Sequence, residues 1–289
     1  MKIIIPNTPV QVLHDIAQTT ETIKDRANLE IIIWDVQHKP IIDMFDELKP
    51  DIVMIHESQL DHAFAIVCQE FEFKYVVVAA NPLPEWPKAP SAIITEPSLV
   101  KNFPRLPVMQ AVHLARLAQI QGGSYNPNMK SEVLVDTTSV EMNPNLYDLL
   151  RFLTSNYKTK IVGGTPVKSH HYLGAVNMFE RADFIKSAQM VVDINSYTFW
   201  DASYLKVPST TVAPNAPSHV LQFQNLDMLK HNIESILSNP LIRAKYTGMC
   251  YKETLKENTF HHFAAKLFQT IKEPSVAMHL TDYITELTS

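Results

Sequence analysis

Residues 51–80, DIVMIHESQLDHAFAIVCQEFEFKYVVVAA, contain the pattern that decides the fold. Two apolar, β-branched runs at 51–56 and 75–80 flank a segment of helical periodicity at 60–71. Continuous apolar strands that alternate with helices are typical of a parallel sheet covered on both faces. The stretch therefore predicts a buried parallel β-α-β unit.

The same alternation extends in both directions and predicts an α/β protein of two Rossmann-like domains, at 1–125 and 131–273, with a final helix at 275–289. A proline-dense segment between 82 and 107 and a Gly-Gly and Asn-Pro stretch at 121–130 separate the two series. Strands are predicted at 3–5, 29–34, 93–95, 132–136, 160–162, 190–194 and 209–213, and helices at 11–26, 40–48, 108–119, 143–157, 176–187, 200–206, 226–237 and 240–271.

Composition excludes several classes of protein. The 289 residues carry a formal net charge of -5. The chain therefore lacks the overall basic character that is typical of nucleic-acid-binding proteins. Cys68 and Cys250 stand far apart, which excludes a disulfide framework and zinc spacing and favours the cytoplasm. No apolar run is long enough for a membrane span, and no GxGxxG or Walker loop occurs.

The stretch 187–202, SAQMVVDINSYTFWDA, is the strongest candidate site. A buried strand ends near Asp193, and a short polar loop leads into a helix. Backbone N–H groups at such a helix start would suit a diphosphate, and the carboxylate of Asp201 would suit ribose hydroxyls. The alternative is an ordinary helix start, with Asn195 or Ser196 as the cap and Asp201 as a first-turn charge.

This layout resembles the signature of nucleotide-sugar glycosyltransferases of the GT-B fold, in which two acids eight positions apart precede a proline-containing turn. Asp193 and Asp201 hold that spacing and Pro208 follows, although Asp stands where Glu is usual and Lys206 where Gly is usual. The resemblance implies two domains facing across a cleft and a C-terminal helix, 275–289, that crosses back to the first domain. It implies that Asp201 binds the donor ribose and Asp193 or its neighbours bind the sugar. The diphosphate would lie against Ser196, Tyr197 and Thr198, and Asn195 would belong to the same donor site.

A second loop supports a donor site in the same domain. Gly163 and Gly164 follow a strand, and Tyr172 and Leu173 come soon after. In GT-B proteins the similar region packs on the nucleobase, which implies that Gly164, Tyr172 and Leu173 contact a uracil-like ring; the alternative for Tyr172 is a core position. Thr137 and Thr138, after the first strand of this domain, would offer hydroxyls and amides to the same cleft. The expected co-substrate is a UDP-linked sugar, with no metal and no tightly bound cofactor.

The first domain is expected to hold the acceptor at its strand ends, with Asn7 and Asn81 as contacts. An acceptor hydroxyl needs a base, for which Glu57 or His56 is the candidate; a surface-loop acid is the alternative for Glu57. Asp193 completes the candidate catalytic set.

Two short segments, Trp200-Asp201-Ala202 and 77–84, also resemble phage glycosyltransferases that modify 5-hydroxymethylcytosine in DNA. This resemblance implies double-stranded DNA as the acceptor, and it puts Asn81 where that family has its catalytic aspartate. The segment after the fourth strand supplies residues that would contact DNA. Lys88, Lys101 and Arg105 would bind phosphates, and Trp86 would fill a gap in the base stack. The alternative for this segment is an ordinary solvated loop. The alternatives for the function are a glycosyltransferase for a surface glycan or a small molecule, and a non-catalytic nucleotide-sugar-binding protein.

Overall fold

The structure is a computed structural model that describes residues 1–7, 10–35, 39–79, 83, 85–94, 105–106, 126–138, 140, 142–194, 198–213 and 216–288. The predicted helix at 108–119 lies outside these residues. Five predicted site residues lie outside them as well: Asn81, Lys101, Asn195, Ser196 and Tyr197.

The chain divides into two units, and the first combines Met1–Arg116 with Thr259–Ser289. Its described strands form one parallel sheet of order β2-β1-β3-β4-β5-β6. These strands are β1 (Lys2–Pro6), β2 (Glu30–Trp34), β3 (Ile52–His56), β4 (Lys74–Val78), β5 (Ala92–Ile94) and β6 (Arg105–Leu106). The helices that follow the first three strands are α1 (Gln11–Glu21), α2 (Ile41–Leu48) and α3 (His62–Glu70).

Both faces of this sheet are buried, as the continuous apolar strands predict. Along β1, Ile3 and Ile5 join the core on the side of α1, whereas Ile4 joins the opposite core with Phe45 of α2 and Phe64 of α3. Successive side chains of a strand point to opposite faces, so an uninterrupted apolar run fills two cores at once.

The C-terminal helices belong to the first unit. The sequence predicts one helix at 240–271, but the structure has two, Pro240–Glu257 and Phe260–Thr270, because Thr259 is extended (φ -100°, ψ 156°) and begins the second as its cap. Phe260 and Phe268 of that second helix are buried in the core with Ile3. Residues 259–273 therefore pack outside the second unit, in which the sequence placed them.

The last helix, Pro274–Thr288, packs in the first unit, as the resemblance implies. Arg26 forms an ion pair with Glu286 of this helix at 2.7 Å, and Lys74 forms one with Glu273, just before the helix, at 2.6 Å.

The second unit, Leu117–Asn258, has a parallel sheet of order β11-β10-β9-β7-β8 among the described residues. Its strands are β7 (Ser131–Asp136), β8 (Thr159–Val162), β9 (Ala188–Asp193), β10 (Ser209–Thr211) and β11 (Leu221–Gln222). Its helices are α4 (Pro144–Asn156), α5 (Met178–Ser187), α6 (Thr198–Tyr204), α7 (Leu226–Leu237) and α8 (Pro240–Glu257), and the two C-terminal helices described above are α9 (Phe260–Thr270) and α10 (Pro274–Thr288).

The predicted α/β architecture with two parallel sheets is confirmed. The two-residue strands β6 and β11 were not predicted, because a strand of that length has no periodicity to detect. Among the described helices, none combines the length and the apolar character that crossing a membrane requires.

Candidate functional site

The order of strands in the second unit defines one special position, between β7 and β9. From β7 the chain continues to one side of the sheet, to β8, and from β9 it continues to the other side, to β10. In open parallel sheets, ligands bind at such a switch point, outside the carboxyl ends of the strands. The last residue pair of β7 and β9 is Asp136 and Asp193, and both carboxylates are fully buried. Two acids therefore lie side by side where this fold binds ligands.

Asp193 fixes the start of α6 and the end of β10. One carboxylate oxygen accepts a hydrogen bond from the backbone N–H of Thr198, the first residue of α6, at 2.9 Å, and the other accepts one from the Thr211 hydroxyl at 2.6 Å. These charge-assisted bonds occupy both oxygens within the protein. The geometry favours a role in positioning the loop between β9 and α6, which differs from the expected contact with a sugar.

Asp136 connects this loop to helix α5. One of its oxygens accepts from the Thr138 backbone N–H and the other from the Thr198 hydroxyl, both at 2.8 Å. The second oxygen also lies 3.5 Å from Nη1 of Arg181, whose Nη2 donates to Asp201 at 2.9 Å. A continuous network thus runs from Asp193 through Thr198, Asp136 and Arg181 to Asp201.

Arg181 and Asp201 are the charged members of this network that keep some exposure, with side chains 22% and 18% exposed. Arg181 has no counterpart in the sequence-based prediction. The sequence does contain one indication of its role. Arg181 lies close to the amino end of a helix, where a cation opposes the helix dipole, so its presence there indicates an anionic partner.

The loops after β7 and β8 touch each other. Gly163 has φ +129°, and a Cβ atom there would lie 2.5 Å from the Thr138 nitrogen, so the contact requires glycine. Thr137 is buried and its hydroxyl donates to the Val162 carbonyl at 3.1 Å. A Cβ atom on Gly164 would meet nothing within 4 Å, which leaves room beside this loop for a ligand.

Tyr172 is anchored within the protein. Its hydroxyl donates to the Gly163 carbonyl at 2.7 Å, and its ring packs against the core of the second unit. The neighbouring Leu173 is 48% exposed. The structure thus favours the core alternative for the Tyr172 side chain and leaves Leu173 as the apolar surface of this loop.

In the first unit, the candidate acceptor residues Asn7 and Glu57 directly follow β1 and β3. These two strands are neighbours, and the strand order reverses between them as well. His56 ends β3, and its Nδ1 accepts from the Ser58 backbone N–H at 3.2 Å and lies 2.8 Å from the Ser58 hydroxyl oxygen. Glu57 is partly exposed in the 3₁₀ turn that follows, and Asn7 is exposed after β1.

Trp86 and Lys88 cover the aromatic core of the first unit. The Trp86 ring stacks on Phe64, with centroids 6.5 Å apart, and the Lys88 amine lies 4.5 Å from the centroid of Phe73. This packing differs from the predicted contact with an acceptor. The structure describes only the backbone of Arg105, in β6.

Several solved structures share this fold. No family model matches the chain, and no curated protein matches it in sequence. The UDP-GlcNAc 2-epimerase from Neisseria meningitidis bound to UDP-GlcNAc superposes with a TM-score of 0.58 at 10% identity over 94% of this chain and 100% of that one. The S. aureus MnaA–UDP structure gives 0.52 at 12% identity over 85% and 90%.

A glycosyltransferase also shares the fold. The spinosyn forosaminyltransferase SpnP gives a TM-score of 0.51 at 10% identity over 94% of this chain and all of that one. Identities this low show the fold and nothing of the chemistry. The chain therefore has the two-unit fold that GT-B glycosyltransferases share with UDP-GlcNAc 2-epimerases.

Proposed function

We propose that the second unit binds a nucleotide sugar at the carboxyl ends of β7 and β9, and that the chain is a glycosyltransferase. The observation that carries the proposal is the pairing of Asp136 with Asp193 at the switch point, linked through Arg181 to the partly exposed Asp201. Open parallel sheets generally bind ligands at such a position, and this one offers an acid and a cation together. The fold neighbours, whose names and bound molecules are those of nucleotide-sugar enzymes, support the same assignment.

The proposed roles follow from what each side chain already contacts. Asp201 would accept hydrogen bonds from the ribose hydroxyls, with Arg181 holding its carboxylate in place. Gly164 and Leu173 would lie against the nucleobase. Asp193 would act by positioning, because its two oxygens bind Thr198 and Thr211.

The remaining donor contacts are proposed for the segment between β9 and α6, namely Asn195, Ser196, Tyr197 and Thr198. Thr137 and Thr138 follow β7 at the same edge of the sheet, and the Thr138 backbone N–H donates to Asp136 at 2.8 Å. Each assignment can be tested separately by single substitution.

Binding is the first experiment. UDP and UDP-sugars are titrated calorimetrically into the wild type, Asp201→Ala and the control Asp227→Ala, an exposed acid in the first turn of α7. Loss of hydrogen bonds to a charged group costs about 1.5–3 kcal/mol, so Asp201→Ala should weaken binding by about tenfold or more. Equal affinity in wild type and Asp201→Ala would remove this carboxylate from the site.

Turnover is the second experiment. UDP-glucose, UDP-arabinose and UDP-GlcNAc are incubated with a panel of small-molecule and glycan acceptors, and NMR follows the sugar and UDP. Acceptor-dependent transfer supports the proposal. A sugar epimerised at C2 without an acceptor would indicate the epimerase activity of the fold neighbours, and binding without turnover would indicate a non-catalytic nucleotide-sugar-binding protein.

The acceptor base is proposed to be Glu57, with His56 as the alternative. The His56 Nδ1 atom already contacts the backbone N–H and the hydroxyl of Ser58, so one of its two ring nitrogens is engaged within the protein. Glu57→Gln should lower turnover with little change in donor affinity, because it keeps the shape and removes the basic oxygen. His56→Gln serves as the paired variant.

Hydroxymethylated DNA remains one acceptor to be included in that panel. No fold neighbour described above is a DNA-modifying enzyme, Trp86 and Lys88 pack on aromatic rings, and the net charge is -5. Transfer to hydroxymethylated but not to plain DNA would identify it as the substrate. The buried free cysteines Cys68 and Cys250 support a reducing compartment such as the cytoplasm as the site of activity.

A further inference from the structure

A basic cavity lies at the edge of the second sheet opposite the proposed donor site. It has a volume of about 390 Å³ and is lined by the first residues of β9, the turn between α6 and β10, and the first turns of α8. Because β9 is six residues long, its two ends are separated by about 17 Å. Ligands of this fold normally bind at the carboxyl edge, so a cavity at the amino edge needs an explanation of its own.

Four cationic side chains line this cavity, and its lining contains no acidic residue among the residues that the structure describes. They are Lys130, Lys186, Lys206 and Arg243. The chain as a whole has 25 Lys and Arg against 30 Asp and Glu, so this concentration of positive charge contrasts with the average surface. Like charges gathered in one concave site repel each other unless an anion joins them.

Three of these four cations, Lys130, Lys206 and Arg243, take part in no ion pair among the described residues. The Arg243 guanidinium donates to the amide oxygen of Gln189 at 3.1 Å, and the Lys206 amine lies 4.4 Å from the ring centroid of Tyr251. Both contacts orient the side chain and leave its positive charge without a counter-charge from a carboxylate.

We propose that this cavity is a second binding site, specific for a small multiply charged phosphate compound such as a diphosphate or a phosphate ester. The planar guanidinium of Arg243 suits two phosphate oxygens, and the lysines supply additional charge around them. The volume lies within the range of small-molecule sites and exceeds what a single inorganic ion needs. The site is independent of the proposed donor function, because it shares no residue with the network of Asp136, Asp193 and Asp201.

Calorimetry at fixed ionic strength in a chloride buffer tests the site, with inorganic pyrophosphate as the first probe and orthophosphate and UDP as the others. The test variants are Lys130→Gln, Arg243→Gln and the double variant. Lys245→Gln is the matched control, since it removes one positive charge from an exposed position on the same helix outside the cavity. Circular dichroism melts establish that each variant folds, and Lys130→Gln alters only an exposed side chain.

The double variant should bind pyrophosphate about tenfold or more weakly, Lys130→Gln about threefold more weakly, and Lys245→Gln within about twofold of the wild type. Asp201→Ala should bind pyrophosphate as the wild type does, and the dependence of that binding on Arg243 and Lys130 separates this cavity from the diphosphate position of the proposed donor site. In the Asp201→Ala background, UDP binding that depends on Arg243 would show that a nucleotide occupies the cavity, and pyrophosphate binding alone would show that the phosphates suffice. No binding by the wild type at millimolar pyrophosphate, or equal weakening in Lys245→Gln, would overturn the proposal.

Discussion

Replacing Asp193 by Asn tests whether this buried carboxylate holds the site together. The fully buried side chain accepts from the Thr198 N–H at 2.9 Å and from the Thr211 hydroxyl at 2.6 Å. An amide has one acceptor oxygen, so it can satisfy one of these donors only. Its NH₂ group would then face either an N–H or the Thr211 hydroxyl, which could accept from it, beside the Ala213 N–H at 3.0 Å, only by turning its own proton away from residue 193.

The expected cost follows from these contacts. A hydrogen bond to a charged group contributes about 1.5–3 kcal/mol, and one of the two is lost outright while the other loses its charge. Removing the negative charge also relieves repulsion from the adjacent Asp136, which offsets part of the loss. We expect Asp193→Asn to lower the free energy of unfolding by about 2 kcal/mol. For a unit of this size that corresponds to about 6–8 °C in the transition temperature.

Differential scanning calorimetry provides the measurement, with Thr211→Val and the double variant completing a thermodynamic cycle. The two single changes break the same hydrogen bond, so their costs should fail to add by about 1 kcal/mol or more. Asp227→Asn, which changes an exposed acid in the same unit, should stay within about 0.5 kcal/mol of the wild type. A melting temperature of Asp193→Asn within a degree of the wild type, or strict additivity with Thr211→Val, would refute this account of the network.

Two further predictions concern other parts of the second unit. Gly163→Ala should lower the free energy of unfolding of this unit by about 3 kcal/mol in chemical denaturation, because φ is +129° and the new Cβ would lie 2.5 Å from the Thr138 nitrogen. Gly164→Ala is the control, and similar losses in both variants would contradict the reasoning. Burial lowers the pKa of His219 below its ordinary value of 6.5, and the nearby Glu253 opposes this effect. Below about pH 6.5 the unfolded chain therefore binds more protons at this residue than the folded chain does. The free energy of unfolding should fall as the pH drops from about 7 to about 5. His219→Gln should flatten that dependence in urea titrations at several pH values, and an unchanged slope would exclude His219 as its source.

The strands were predictable because each buried strand of a parallel sheet carries its own signal. Ile3, Ile4 and Ile5 are consecutive apolar residues that fill two cores, and such runs stand out in a sequence. The break at Thr259 was missed although Thr is a common helix cap, because apolar residues continue on both sides and the helical period hides the interruption. Such a boundary is decided by which core the following phenylalanines enter.

The candidate site was predictable only in part. Asp193 and Asp201 could be selected from their spacing along one segment, whereas the pairing of Asp136 with Asp193 depends on which strands are neighbours, a property of the sheet order. Arg181 enters the network from a helix, and the sequence contains no spacing that links it to Asp136 or Asp201. Trp86 was assigned to the surface because its stacking partner, Phe64, lies 22 positions earlier and in a different element.

The charge balance at the carboxyl edge separates the residues that build the site from those that can meet a ligand. Asp136 and Asp193 are two like charges side by side and without exposure, an arrangement that is costly unless donors surround both. Backbone and hydroxyl donors, together with the Arg181 guanidinium, fulfil that requirement. These two acids are therefore committed to contacts within the protein, whereas Asp201 and Arg181 are the charged residues of the described network that keep some exposure. Arg181 contacts one carboxylate oxygen of Asp201, so a nucleotide that binds as proposed would meet a carboxylate already oriented by this ion pair, and the pair would set part of the affinity.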